Sequence, residues 1–319
     1  MMIAILTLEG VFDSGISIVL DALHTANELA PLAGIDTPRV NIEVVGVRPK
    51  VRSALGFDIP VKSAADIAAP DWVIVPAIGY KMPDVLQAAL AREDVMEAGL
   101  QLRRWVEEGA RVAAACVGTF IVAESGLLDG EEATTTWWLT PMFLQRYPKV
   151  RLDANRILVP SGRLLTAGAA FSHVDIALWL IRQRSPELAS LVAKYLVVDS
   201  RPSQTAYMIT DHLAHADPVV ERFDRWARER LDTQITLDEA ATALATSKRT
   251  LSRRLEKALG KTPIEYIQDL RIERAVHLLK TSKHSVDRIA SLVGYADGVT
   301  LRSLLRRRLG KGVRELRTA

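Results

Sequence analysis

The stretch ITLDEAATALATSKRTLSRRLEKALG, residues 235–260, decides the fold of the C-terminal part of this chain. Its apolar residues recur at the spacing of one helix face before and after a short break: Leu237, Ala240, Ala241, Leu244, Leu251 and Leu255. Ser247 follows the break, where its hydroxyl can cap the next helix by accepting a backbone N–H. The pattern predicts a short apolar helix, a tight turn and a second helix with a basic outer face, which is a helix-turn-helix unit.

A related pattern returns at SVDRIASLVGYADGVTLRSLLRRRLG, residues 285–310. Ser285 is placed to cap its first helix, and Gly294 follows where a turn is needed. Between the two copies, residues 262–279 keep an apolar stripe behind Pro263, which suits the first position of a helix. We therefore expect one long linking helix that holds two DNA-reading units about one turn of DNA, or ~34 Å, apart.

The second helix of each copy carries the side chains expected to meet DNA. A helix fits the major groove, and its first turns reach the base edges. Arginine can bind guanine through two hydrogen bonds, whereas serine and lysine more often hold phosphate. The outer faces consist of Lys248, Arg249, Ser252, Arg253 and Lys257 in the first copy and of Thr300, Arg302, Ser303, Arg306 and Arg307 in the second.

The segments LRIERAVHLL, residues 270–279, and IASLVGYAD, residues 289–297, resemble the DNA-binding domain of AraC/XylS-type transcription regulators. The resemblance covers roughly the last quarter of the chain. The family usually has an aromatic residue where Leu305 and Leu309 stand, and a proline where Val313 stands. The resemblance implies base reading by Arg249, Ser252 and Arg253 in one half-site, and the corresponding positions for the other are Gly298, Val299, Arg302 and Ser303.

Charge is distributed unevenly along the 319 residues, a length that suits two domains. Residues 230–319 hold 19 lysines and arginines against 10 aspartates and glutamates, a formal charge of +9. The preceding residues hold 22 basic against 28 acidic side chains, a formal charge of −6. A basic region beside an acidic one is the electrostatic pattern of a nucleic-acid-binding module attached to another domain.

The chain has one cysteine, Cys116, so an internal disulfide is impossible and a reducing cytosol is favoured. The first residues, MMIAILTLEGVF, lack the basic start and the cleavage site of a signal peptide and predict a buried strand. No apolar run approaches the length that crosses a membrane. We therefore expect a cytoplasmic protein without a membrane partner.

Short apolar runs alternate with helical patterns before residue 198, which predicts a mostly parallel, doubly wound (flavodoxin-like) α/β domain. Strands are expected over 3–8, 41–47, 71–76 and 111–116 and near 151, 157 and 164, with a hairpin or an excursion of the chain across 51–61. Helices are expected over 17–29, 85–108, 120–125, 174–184 and 217–231. The predicted organisation is an α/β domain over 1–197, a linker over 198–215 and an all-α domain with two helix-turn-helix units over 216–319.

Cys116 ends a predicted strand and is followed by Gly118 at the start of a helix. Open α/β sheets bind ligands beyond the carboxyl ends of their strands. A strand-turn-helix of this kind predicts a nucleophile elbow, which exposes the side chain near a helix N-terminus and lowers the pKa of a thiol.

Residues 113–138, AAACVGTFIVAESGLLDGEEATTTWW, resemble the PfpI-like, class I glutamine-amidotransferase-like family, and more closely the amidase-like sensor domain of one AraC-family branch. This resemblance spans residues 1–197. Enzymes of the family pair the cysteine with a histidine at the position of Thr136, and threonine is no general base near neutral pH. Gly15 stands where some relatives have a carboxylate, and Ala77-Ile78 replaces a glycine pair that supplies N–H donors. We expect no catalytic residue, metal or cofactor.

The resemblance instead suggests a small-molecule site, for which the candidate residues are Asp21, Ile78, Cys116, Thr136 and Trp137. Cys116 has three open interpretations: a pocket wall, a ligand contact or a redox sensor. Trp137 and Trp138 either attract a cationic ligand through their ring faces or belong to the core. His24 and His173 could reach the site, although a lone histidine is more often structural.

The leading hypothesis is a transcription regulator that binds double-stranded promoter DNA, an amino-acid-like or cationic effector and RNA polymerase, and that forms a homodimer. One alternative is a PfpI-type cysteine hydrolase or amidase tethered to DNA. Another is an architectural DNA-binding protein without a ligand, which would show a steep, sequence-independent salt dependence.

Overall fold

The computed structural model describes residues 1–80, 82–199, 201, 203–204 and 217–318, with residue 318 described by its backbone alone. The chain divides into two compact units. The α/β unit consists of Met1–Leu139 and Tyr147–Ser200, and the helical unit consists of Thr140–Arg146 and Arg201–Ala319. Most of the predicted linker, including residues 205–215, lies outside the described residues.

Among the described residues, seven strands of the α/β unit form one sheet. They are β1 (Met2–Thr7), β2 (Asn41–Gly46), β5 (Lys62–Ser63), β6 (Trp72–Val75), β7 (Arg111–Ala115), β10 (Leu158–Ser161) and β11 (Leu164–Ala167). Their order is β10-β11-β7-β6-β1-β2-β5, and every neighbouring pair is parallel except β10 and β11. The predicted mostly parallel sheet is confirmed.

Two small strand pairs accompany the sheet. Strands β3 (Val51–Arg52) and β4 (Asp58–Ile59) form the antiparallel hairpin that the sequence predicts. Strands β8 (Glu132–Ala133) and β9 (Arg151–Leu152) pair in parallel.

The helices of the α/β unit cover the sheet. They are α1 (Asp13–Leu32), α2 (Pro83–Leu90), α3 (Glu93–Glu107), α4 (Gly118–Glu124), α6 (His173–Arg184) and α7 (Pro186–Tyr195). Ile3 and Ile5 pack in one core cluster with residues of α1, α6 and α7. The alternate residues Ala4 and Leu6 point to the other face and are equally buried. Both faces are therefore covered, as a doubly wound fold requires.

The helical stretch predicted across 85–108 consists of two separate helices, α2 and α3. Arg92 adopts an extended conformation between them, with φ −69° and ψ 151°. Its guanidinium binds Asp94 in the first turn of α3, with Nη2 and Oδ2 2.9 Å apart. Glu93 and Asp94 stand in the first turn of α3, where negative charge favours the N-terminus of a helix.

The helical unit contains both predicted helix-turn-helix units. Its helices are α5 (Thr140–Arg146), α8 (Pro218–Arg228), α9 (Leu237–Ala243), α10 (Lys248–Leu259), α11 (Pro263–Thr281), α12 (Val286–Leu292), α13 (Gly298–Leu309) and α14 (Val313–Thr318). Helices α9 and α10 form the first unit, α12 and α13 form the second, and α11 links them. Ser247 and Ser285 cap α10 and α12 as predicted. Over the described residues, no helix combines the length and apolar character that a membrane span requires.

Candidate functional site

The first recognition helix, α10, presents the residues predicted to meet DNA. Leu251, Leu255 and Leu259 are buried on its inner face. The outer residues Lys248, Arg249 and Arg253 are exposed, and Ser252 is half-buried. Nζ of Lys248 lies 2.8 Å from Oδ1 of Asp238, but both side chains are largely exposed. Such a pair contributes little to stability, so Lys248 can exchange it for a phosphate.

The second recognition helix, α13, repeats this arrangement with a different first turn. Leu301, Leu305 and Leu309 are buried, as their counterparts in α10 are. Six of the seven residues predicted to meet DNA are exposed, namely Val299, Thr300, Arg302, Ser303, Arg306 and Arg307. Cations thus line the outer face of both helices, which suits contact with phosphates.

Gly298 departs from the prediction, because it is buried. Its backbone N–H donates to Oδ1 of Asp287 at 2.9 Å. A Cβ at this position would lie 2.6 Å from the same oxygen. Only glycine allows this approach, so the residue anchors the start of α13 and does not face outwards.

At the carboxyl edge of the parallel sheet, Cys116 forms the predicted elbow between β7 and α4. It adopts the left-handed conformation with φ 55°, which is rare for a residue other than glycine. A Cβ on Gly118 would lie 2.2 Å from the carbonyl oxygen of Val75, so α4 starts directly against the end of β6. The expectation of an exposed thiol is wrong, because Cys116 is only 4% exposed; Thr135 donates its hydroxyl to the Cys116 carbonyl at 2.7 Å.

His173 lies fully buried at the same edge, at the start of α6. Nδ1 donates to the carbonyl oxygen of Ala170, and Nε2 accepts the backbone N–H of Ala77 at 3.3 Å. Burial lowers the pKa of His173 to about 4, so the ring is neutral at neutral pH. Both ring nitrogens are engaged with the backbone, which makes His173 a structural residue, and His24 is exposed on α1.

His173 also explains why glycine stands at position 15. A Cβ on Gly15 would lie 2.9 Å from Nε2 of His173 and 3.3 Å from Cβ of Pro76. The histidine thus occupies the space in which a carboxylate side chain at position 15 would have to lie.

Three buried hydroxyl groups at this edge have no hydrogen-bond partner within the described part of the chain: those of Thr119, Thr136 and Ser172. Each residue is at most 1% exposed. Thr119 follows Cys116 in the first turn of α4, Thr136 follows Thr135, and Ser172 precedes His173. Leaving such a group without a partner costs about 1–3 kcal/mol. Since nearly all buried hydroxyls in proteins have a hydrogen-bond partner, these three are candidates for binding a polar ligand.

The structure brings four of the five predicted ligand residues to buried positions and leaves one outside. Ile78, Cys116, Thr136 and Trp137 are at most 8% exposed. The ring of Trp137 packs edge-on against Trp138, with centroids 5.5 Å apart. Asp21 is exposed in the middle of α1, because the helix turns that side chain away from the core.

Sequence reasoning missed Thr119 and Ser172 as candidates. The signal was present but weak: each is a polar residue in the first turn of a helix, or directly before it, following a buried strand. Their burial and lack of partners come only from the folded structure.

Comparison with known proteins finds relatives among transcription regulators. Residues 240–319 match a family model described as a helix-turn-helix domain. The HTH-type transcriptional regulator ArgR of Pseudomonas aeruginosa is 28% identical, over 68% of this chain and 67% of that protein. The HTH-type transcriptional regulator GbdR of the same species is 26% identical, over 66% of this chain and 57% of that protein. The alignments thus span about two thirds or less of these relatives.

A solved structure supports the fold of the α/β unit. A crystal structure of an AraC family transcriptional regulator from Pseudomonas putida superposes with a TM-score of 0.51 at 19% identity, covering 61% of this chain and 98% of that one. The matches lead to one conclusion: residues 240–319 form a helix-turn-helix domain, an α/β domain precedes it, and the chain is similar to HTH-type transcriptional regulators.

Proposed function

We propose that this chain controls transcription by binding promoter DNA through both helix-turn-helix units, and that a small polar molecule bound in the α/β domain modulates this binding. The observation that supports DNA binding is the pair of recognition helices, whose buried leucines turn a row of cations outwards. In this proposal Arg249 and Arg253 read bases, while Lys248 and Arg306 hold phosphates.

The effector site lies at the carboxyl edge of the sheet in this proposal. The unpaired hydroxyls of Thr119, Thr136 and Ser172 supply hydrogen bonds to an amino-acid-like compound, and Trp137 supplies an apolar or cation-binding wall. No suitable base for Cys116 is present at these positions: Thr136 replaces the expected histidine, and His173 has both ring nitrogens engaged with the backbone and a pKa lowered by burial to about 4, which makes it a weak base. The site therefore binds without catalysing.

Binding acts on DNA affinity through population shift. A ligand that prefers one arrangement of the protein raises the share of that arrangement. The same coupling makes DNA change the affinity for the ligand. We expect the regulator to act as a homodimer and to contact RNA polymerase at the promoter.

The test begins with sequence selection from random DNA by the purified protein, followed by a thermal-shift panel of amino acids, polyamines and quaternary ammonium compounds. Enrichment of one sequence and a dose-dependent shift by one compound class are expected. Failure to enrich any sequence contradicts the DNA-binding proposal, and absence of any shift contradicts the effector proposal.

A matched pair of variants then locates the effector. Thr136→Val keeps the side-chain volume and removes an unpaired hydroxyl, so the empty protein should keep its melting temperature while the compound's shift disappears. Thr135→Val removes the hydroxyl that binds Cys116, so it should lower the melting temperature of the empty protein. Equal losses of empty-state stability in both variants would contradict a ligand role for Thr136.

The elbow conformation of Cys116 favours one second candidate function, a slow cysteine hydrolase or amidase. An amide-hydrolysing activity that disappears in Cys116→Ala would support it. If the native protein and Cys116→Ala both hydrolyse the amide only at the background rate, the domain is a sensor without catalytic activity.

A further inference from the structure

One buried carboxylate connects the C-terminal ends of both recognition helices. Asp269 lies in the second turn of α11, and its side chain is 6% exposed. Nζ of Lys261 donates to its Oδ2 at 2.8 Å. Nη1 of Arg308 lies 3.8 Å from its Oδ1, and Nη2 of Arg308 donates to Oε1 of Gln268 at 3.0 Å.

The two cations lie close to the C-terminal ends of the two recognition helices, one just after its helix and the other within the last turn. Lys261 follows Gly260, the left-handed residue that ends α10 at φ 64°. Arg308 lies in the last turn of α13, which ends at Gly310 in the same conformation. Asp269 and Gln268 are adjacent in α11, so one turn of this helix contacts both Lys261 and Arg308.

The contacts between α11 and the second unit are otherwise mainly apolar, formed by residues such as Ile272, Ala275 and Leu279. Apolar contacts are not directional, so they fix distance better than angle. A buried ion pair adds little net stability but requires a particular geometry.

We propose that Asp269 is a positioning residue that sets the spacing between the two DNA half-sites. The inference rests on the proposed binding of DNA by both units. With the carboxylate in place, the two recognition helices have one relative orientation and accept one half-site spacing. Without it, the second unit reorients on α11 and tolerates other spacings.

The test uses the full-length protein and the DNA sequence that it selects from a random pool. Variants of that sequence carry zero, one or two base pairs inserted between the half-sites. Each inserted pair rotates one half-site by about 34–36°, because B-DNA has 10–10.5 base pairs a turn. The native protein is expected to lose about tenfold or more in affinity for one insertion, comparable to a mismatch in the site.

Arg308→Met and Arg307→Met form the matched pair. Both remove one arginine from the last turn of α13, but Arg307 is exposed whereas Arg308 contacts Gln268 and Asp269. Arg308→Met should reduce the insertion penalty to about threefold or less while keeping affinity for the original spacing within about threefold. Arg307→Met should keep the native penalty and weaken binding to all sequences, with a shallower salt dependence.

A double variant guards against loss of folding, since Asp269→Asn alone would leave Lys261 buried without its carboxylate. The combination of Asp269→Leu with Lys261→Met replaces the pair by apolar side chains and should fold, as circular dichroism can verify, and tolerate insertions. If folded Arg308→Met and the double variant lose as much affinity for one inserted base pair as the native protein does, Asp269 does not set the spacing. Selection of a sequence with only one half-site overturns the proposal as well. Failure to select any sequence overturns the proposed function itself.

Discussion

The two helix-turn-helix units have the same order of helix, turn and helix, but the turn of the first is exposed and the turn of the second is packed against other residues. Ala245 in the first turn and Gly294 in the second both have positive φ, 50° and 76° respectively. Ala245 is exposed, so its Cβ points into solvent. At Gly294 a Cβ would lie 2.3 Å from the carbonyl oxygen of Leu231 and 2.6 Å from Nη2 of Arg271. The same turn therefore requires glycine only where the rest of the unit packs against it.

The recognition helices differ in their first turns more than in their cores. Helix α10 begins with Lys248 and Arg249, both exposed, whereas α13 begins with buried Gly298 and with Val299, which is 67% exposed. Cations of α13 are concentrated in its last turns. We infer that the first unit reads bases through charged side chains, and that the second combines an apolar base contact with stronger phosphate binding.

The largest expected effect tests the packed turn. Gly294→Ala should lower the free energy of unfolding of the helical unit by about 2–4 kcal/mol, because the new Cβ meets backbone and the conformation is strained. Hydrogen exchange of the amides of residues 286–309 measures it. A loss below about 1 kcal/mol would show that the two turns are equivalent after all.

Base reading by the first unit gives the next effect. Arg253→Ala should weaken binding to the selected sequence by about 1–3 kcal/mol and relax preference at one base step. Arg306→Ala in the second unit should weaken selected and random DNA alike. Equal losses of Arg253→Ala on both DNAs would assign Arg253 to phosphate and remove the difference between the units.

The apolar contact of the second unit predicts a smaller effect. Val299→Ala should cost up to about 1 kcal/mol on the selected sequence, since a thymine methyl loses its apolar neighbour. Replacing thymine by uracil in that half-site should reduce the binding free energy of the native protein by a similar amount and that of the variant by almost nothing. If the affinity losses from Val299→Ala and from uracil add up when the two changes are combined, Val299 does not contact the thymine methyl.

The exposed turn predicts a change of opposite sign. Ala245→Gly should raise the free energy of unfolding by about 0.5 kcal/mol, because relief of the left-handed strain slightly exceeds the extra backbone entropy of glycine. Urea unfolding of the full-length protein measures it. A loss of stability would mean that Ala245 has a packing role that its exposure conceals.

The smallest effect concerns the caps of the recognition helices, Ser247 for α10 and Asp297 for α13. A backbone hydrogen bond from Thr300 holds the pKa of Asp297 below its ordinary value. The ionised cap therefore stabilises α13 above the carboxyl's unfolded pKa of 3.8, and this stabilisation is lost as pH falls through the lower folded value.

The protection factors of the amides in the first turn of α13 should accordingly fall below about pH 4, whereas those in the first turn of α10 should change less. Asp297→Ser should remove the difference between the two helices. Identical pH profiles in the native protein would show that the carboxylate is not the cap on which α13 depends.

The helix-turn-helix surfaces could be read from the sequence because each depends on local spacing. Leu251 and Leu255 fix the inner face of α10, and the position of Arg253 on the outer face follows from 3.6 residues a turn. Gly298 was misplaced because its burial against Asp287 depends on a contact across the turn. Helical periodicity does not report such contacts.

The site in the α/β domain could be predicted only in outline. The elbow at Cys116 follows from a strand, a turn and a helix that are consecutive in sequence. The hydrogen bond from Thr135 to the Cys116 carbonyl does not follow, nor does the contact of His173 with Ala77, because these residues are 19 and 96 positions from their partners. Asp21 was included on sequence grounds, and the rotation of α1 puts it in solvent.

The sequence by itself determined the order of strands and helices, the two helix-turn-helix units and the cations on their outer faces, because hydrophobic periodicity and capping act over a few residues. Only the tertiary structure decided which polar groups lie buried without partners at the sheet edge, and that Asp269 lies between Lys261 and Arg308. Those arrangements depend on side chains from distant segments meeting in a low-dielectric interior, where direction and distance determine the energy.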